Sequence, residues 1–114
     1  MLFRSHAPTE EVIELARVAA RHGTLYATHM RDEGEHVVEA IRESMRIGRE
    51  AGLPVILSHH KVAGVANHGR TVETLALIDE ARRSQPLGFD VYPYVAASTV
   101  LSVERVREIG RAHV

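Results

Sequence analysis

Gly52-Leu53-Pro54-Val55-Ile56-Leu57-Ser58-His59-His60 is the stretch on which the fold turns. Its apolar run is short, starts on a proline and shows no polar alternation, which predicts a strand buried on both sides. Immediately upstream, Gly34 to Glu50 sets Val37, Ile41, Met45 and Gly48 on one helical face, and Gly52 stops the helix. The same order occurs once before. Thr9 is placed to cap a helix, Glu10 and Glu11 follow where the macrodipole favours acid, and Val12, Leu15, Ala16 and Ala19 share a face that ends at Gly23. Thr24 to His29, carrying Leu25 and Tyr26, then has the length of a strand and no helical period. A third unit follows, with a helix expected over Thr71 to Ser84 (Val72, Leu75, Ile78 and Ala81 in step) and a strand over Leu87 to Tyr92 behind Pro86. A last helical stretch is expected from Val103 to His113.

Helices alternating with strands at a period of roughly 30 residues argue for βα units around a parallel sheet, since parallel strands need a crossover between them. Two architectures remain open on this pattern, an open α/β sheet and a slice of a barrel. A (β/α)₈ barrel takes about 250 residues, so at 114 residues the barrel reading makes this a partial TIM-type barrel of three to four βα units. No Gly/Ser linker or low-complexity segment divides the chain, and it is read as one structural piece.

Composition narrows the function classes. The chain is 45% hydrophobic and 25% charged, as ordinary globular domains are, which argues against disorder. Lys and Arg total 14 against 15 Asp and Glu, so there is no basic field for nucleic acid. No apolar run is long enough for a bilayer and no leader precedes the first helix, so the chain reads as cytoplasmic with no membrane partner. With no cysteine, a metal site must be built from imidazoles and carboxylates. The 8 histidines are then the residues to sort.

His29 closes the first strand and His59 closes the second. Parallel strands in βα proteins end on one face, so these two rings are candidates to converge on a metal ion. The other reading is that His59 or His60 bonds to backbone while His29 packs or faces water. Asp90, Tyr92 and Tyr94 alternate along the third strand toward the same mouth, where Asp90 can orient an imidazole or bind metal and a tyrosine hydroxyl can donate to a carbonyl. Packing and turn chemistry next to Pro93 is the plainer account of the tyrosines. Lys61 opens the long loop to Arg70 and can pair with a substrate carboxylate. Arg31-Asp32-Glu33 reads as a solvated helix entry, with Arg31 held as a supporting residue at most. His6, His36 and His113 read as surface positions, His22 as a helix C-terminal cation, and His68 as a loop residue.

Three ordered blocks carry a resemblance: Tyr26-Ala27-Thr28-His29-Met30-Arg31-Asp32-Glu33-Gly34, Pro54 to Gly64 around Ser58-His59-His60-Lys61, and Asp90-Val91-Tyr92-Pro93-Tyr94-Val95-Ala96-Ala97-Ser98-Thr99. Together they resemble the N-acyl-D-amino-acid deacylases, or D-aminoacylases, of the amidohydrolase superfamily, over nearly the whole chain. The resemblance implies a zinc-dependent barrel that hydrolyses the amide of a small N-acyl-D-amino acid, with His29 and His59 as metal ligands. It further implies that Lys61 and Tyr92 face the substrate, Lys61 near its carboxylate and Tyr92 near the scissile carbonyl. The family's upstream His-x-His, its metal-binding Cys and its catalytic Asp from the last strand have no counterpart in these residues. The expectation is therefore a central portion of a deacylase barrel, inactive alone, with apolar sheet edges that favour self-association. A non-catalytic α/β assembly module is the alternative, as is a dihydroorotase- or hydantoinase-like amidohydrolase.

Overall fold

Val55 and Leu57 have no exposed surface, and a layer of helices covers them. The computed structural model describes residues 6–98 and Val103. In chain order these form α1 (Thr9–Ala20), β1 (Tyr26–Thr28), α2 (Val37–Ala51), β2 (Val55–Leu57), a single 3₁₀ turn (Val65–Asn67), α3 (Thr71–Ala81) and β3 (Leu87–Phe89). The expected helix over Val103 to His113 lies outside the described residues, Val103 apart.

The strands make one parallel sheet in the order β1-β2-β3. Tyr26 pairs with Val55, which pairs with Leu87, and Thr28 pairs with Leu57, which pairs with Phe89. Sequential parallel strands joined by right-handed crossovers send both crossover helices to one face. That is the arrangement of a barrel wall; a doubly wound sheet reverses its strand order at a switch point. Val55, Leu57 and Leu87 face the helices, where Val37, Ile41, Ile78 and Ala81 close over them in one cluster. A second cluster joins α1 to α2 through Ile13, Ala16, Ile47 and Leu53. Each fully buried Ile, Leu or Val contributes about 1.5–3 kcal/mol over its exposed state. The opposite face carries the row Ala27, Ile56 and Gly88.

Several local expectations are corrected. Pro8, not Thr9, holds the N-cap position of α1, and Thr9 is helical, its hydroxyl donating to Glu43 Oε1 at 2.7 Å. Leu15 is exposed, so the α1 face runs through Ile13 and Ala16. In α3, Val72 is 77% exposed and the buried face is Thr74, Ile78 and Ala81. Strand β3 stops at Phe89 rather than Tyr92, so Asp90, Tyr92 and Tyr94 do not alternate along a strand. Among the described residues no helix is long and apolar enough to cross a membrane.

Candidate metal and substrate site

His29 directly follows Thr28, the last residue of β1, and His59 stands two residues past Leu57, the last of β2, these two strand ends being register neighbours in the sheet. The common strand direction therefore delivers both rings to one edge. They stack with centroids 4.4 Å apart and planes 27° from parallel, and His29 Nδ1 touches His59 Nε2.

The backbone at His59 is unusual: its φ is +44°, in the left-handed region that a residue with a Cβ occupies at a cost. Asp90 stabilises that turn from the end of β3. Its carboxylate Oδ1 accepts the His59 amide at 2.7 Å, and its carbonyl accepts the His60 amide at 2.8 Å. Asp90 thus supports the backbone that aims His59.

His60 points the other way, into the layer between sheet and helix. It is 5% exposed, its Nε2 meets Thr74 Oγ1 at 3.1 Å, and its ring stands edge-on to Phe89. Burial pushes its pKa below the ordinary value, against the opposing pull of the Glu33 charge, and Nδ1 is buried without a partner. This accounts for the buried Thr74 on α3: a hydroxyl on the core face serves the imidazole.

Lys61 lies beside the pair. Its Nζ is 2.9 Å from His59 Nδ1 and 5.6 Å from the centre of the Tyr92 ring, within cation–π range. Glu33 completes the cluster, with Oε2 at 2.6 Å from Lys61 Nζ and Oε1 at 2.7 Å from His59 Nδ1. The Oε1 contact lies off the hydrogen-bonding direction, and that oxygen is buried with no donor. Side-chain exposures of 19% for Glu33 and 27% for His59 and Lys61 leave these charges partly shielded from water.

Two loops are stitched together beneath this cluster. The Ala63 amide donates to the Glu33 carbonyl at 2.6 Å, and Arg70 donates to the Glu35 carbonyl at 2.9 Å. Asp32 Oδ1 accepts the amides of Gly34 and His36, closing the turn that leads into α2.

The four residues expected to form the site, His29, His59, Lys61 and Tyr92, are therefore neighbours. Arg31, Tyr94 and the Asp90 carboxylate are engaged or exposed otherwise. Arg31 pairs with Glu43 at 2.7 Å and donates to the Ala7 carbonyl, tying the loop to α1 and α2. Tyr94 is 75% exposed, and the Asp90 carboxylate is committed to the His59 amide. Glu33 was not legible as a site residue, because an acidic residue before a helix is ordinarily solvated; its position four residues past the strand-end His is the signal that could have marked it.

Two imidazoles meeting nitrogen to nitrogen, with a carboxylate behind one of them, fit a divalent metal that accepts nitrogen ligands. Among the described residues no group of three or more His, Cys, Asp or Glu is placed to hold an ion.

No protein-family profile matches the chain. It is 55% identical over 107 residues to a D-aminoacylase of Alcaligenes xylosoxydans xylosoxydans, a match covering 94% of this chain and 22% of the relative. A solved D-aminoacylase structure concerned with a binuclear metal centre superposes with a TM-score of 0.85 at 58% identity, over 89% of this chain and 21% of the other. The N-acyl-D-glutamate deacylase of Bordetella bronchiseptica, solved with zinc and a phosphonate mimic of the tetrahedral intermediate, superposes with a TM-score of 0.83 at 41% identity, over 89% of this chain and 22% of that one. The chain thus spans about a fifth of the length of the proteins it matches, and over that span it is similar to them in sequence and superposes on their fold.

Proposed function

We propose that this chain is the segment of an N-acyl-D-amino-acid deacylase that supplies two imidazole ligands to its metal and two side chains to its substrate. The observation that carries the reading is the meeting of His29 Nδ1 and His59 Nε2 at the ends of adjacent parallel strands. It is supported by similarity to deacylases across nearly the whole chain.

In this reading His29 and His59 hold zinc, which when bound supplies Lewis-acid polarisation of an acyl carbonyl and activation of water. Lys61 offers its ammonium to the substrate carboxylate, since it sits beside the metal pair and can exchange Glu33 for another carboxylate. Tyr92, held against Lys61, presents a hydroxyl that donates to the scissile carbonyl and orients it. Asp90 keeps the His59 turn in place. The general base and the remaining ligands come from elsewhere in the assembled barrel, so the 114 residues by themselves turn over no substrate.

A chimera tests this directly. The matching segment of the Alcaligenes D-aminoacylase is replaced by this chain, and release of free D-amino acid from an N-acyl-D-amino acid is followed. The chimera is expected to hydrolyse the substrate, and His29→Ala or His59→Ala within the transplanted block to abolish turnover. Retained turnover in both variants would rule the assignment out.

A second reading, an assembly module without catalysis, draws on the sheet. β1 and β3 each pair with β2 alone among the described residues, which leaves strand edges for self-association. An inactive chimera together with a monodisperse dimer of the 114-residue chain in light scattering would select it.

A further inference from the structure

We infer that Glu33 is a positioning residue that sets the tautomer of the His59 ring, leaving Nε2 bare toward His29. The inference rests on the metal reading above and concerns a residue that the proposed chemistry does not otherwise use.

Nδ1 of His59 has two charged neighbours that ask opposite things of it. Lys61 Nζ, at 2.9 Å, can only donate, so a hydrogen bond from it requires a bare Nδ1 and places the ring hydrogen on Nε2. Glu33 Oε1, at 2.7 Å, can only accept when ionised, so a hydrogen bond to it requires Nδ1–H and leaves the Nε2 lone pair free. Only the second tautomer can ligate a metal through Nε2, the nitrogen that meets His29.

Two features favour Glu33. Its Oε2 holds the Lys61 ammonium at 2.6 Å, closer than that ammonium stands to Nδ1. Its Oε1 is buried with no hydrogen-bond donor, and a buried acceptor is driven to find one. His59 Nδ1, at 2.7 Å, is within reach of that oxygen. The position of Glu33 is set independently of its side chain, since its carbonyl is tied to the Ala63 amide across the two loops. Glu33 therefore links the metal side of the site to the substrate side. When Lys61 leaves for a substrate carboxylate, Glu33 remains as the acceptor that keeps the ring in its ligating form.

The test is the protonation pattern of the His59 ring. The full 114-residue chain, labelled with ¹⁵N-histidine and free of metal, is studied by two-bond proton–nitrogen correlation NMR at about pH 8. The wild type is expected to carry the proton on Nδ1, Lys61→Met to keep it there, and Glu33→Ala to move it to Nε2. Zinc affinity, by chelator competition on the same proteins, is expected to fall about 10–100-fold in Glu33→Ala. An Nε2–H ring in the wild type overturns the inference, and that measurement needs no variant to fold. So does an unmoved tautomer in a folded Glu33→Ala chain. Zinc affinity unchanged by His59→Ala would instead overturn the metal reading, which keeps the two failures distinct.

Discussion

His59 and His60 are adjacent in sequence and opposite in circumstance. His59, in a left-handed turn supported by Asp90, looks out over the sheet edge to His29, while His60 is closed into the interior against Thr74 and Phe89. Burial lowers the His60 pKa from its ordinary 6.5, so the folded chain takes up a proton there less readily than the unfolded chain does. The stability due to a neutral His60 is then fully present above pH 6.5 and is lost as pH falls from that value through the lower folded pKa. Thermal unfolding followed by circular dichroism from pH 7.5 to 5 should show the midpoint falling, and the fall should be smaller in His60→Gln. An equal fall in both proteins would place the acid sensitivity in other groups. Legibility at this scale depended on what a residue does. The pair His29 and His59 could be read because equivalent strand ends share a face. Glu33 could not, because its role depends on a second loop, and the chain pattern does not reveal that the Ala63 amide draws that loop onto its carbonyl.

Helices α2 and α3 meet the sheet through small or branched residues, and α2 comes close to it at Gly48. A Cβ there would run into Val55 Cγ2 and lie 3.2 Å from the Leu53 carbonyl oxygen. Helix propensity alone would reward Gly48→Ala by up to about 1 kcal/mol. The close approach outweighs it, because Val55 is fully buried at the centre of the sheet and has nowhere to withdraw. Gly48→Ala is expected to destabilise the fold by about 1–3 kcal/mol. Urea titration checks this, and a raised midpoint would show that α2 can shift off the sheet at little cost. Element positions were legible from period and glycine: α2 and β2 lie where the pattern put them. The face of α3 was legible at Ile78 and Ala81, which are buried, and not in its first turns. Val72 and Leu75 have the apolar period, but the helix turns Thr74 inward, where its hydroxyl meets the His60 ring. A core position filled by a polar residue with a distant partner defeats a rule that counts only apolar side chains.

At the scale of the whole molecule, the described residues form a sheet with helices on one face and the row Ala27, Ile56 and Gly88 on the other. Three parallel strands in sequential order, with a histidine pair beyond their ends, make sense as an arc of a barrel wall. The fold class was readable at this scale because alternation of helix and strand leaves few topologies, whereas the order β1-β2-β3 needed coordinates. A shared span of about a fifth of the length of the deacylases also fits what converges here, two imidazoles with a lysine and a tyrosine beside them, and no group of three or more ion-holding side chains among the described residues. The central claim is that His29 and His59 together hold a metal ion in the assembled enzyme. The most direct measurement is the metal content, by mass spectrometry, of the purified D-aminoacylase chimera with the wild-type block and with the His29→Ala/His59→Ala block. The account predicts that the double variant loses at least one equivalent of zinc per chain while remaining folded. Equal zinc in the two folded proteins would contradict it.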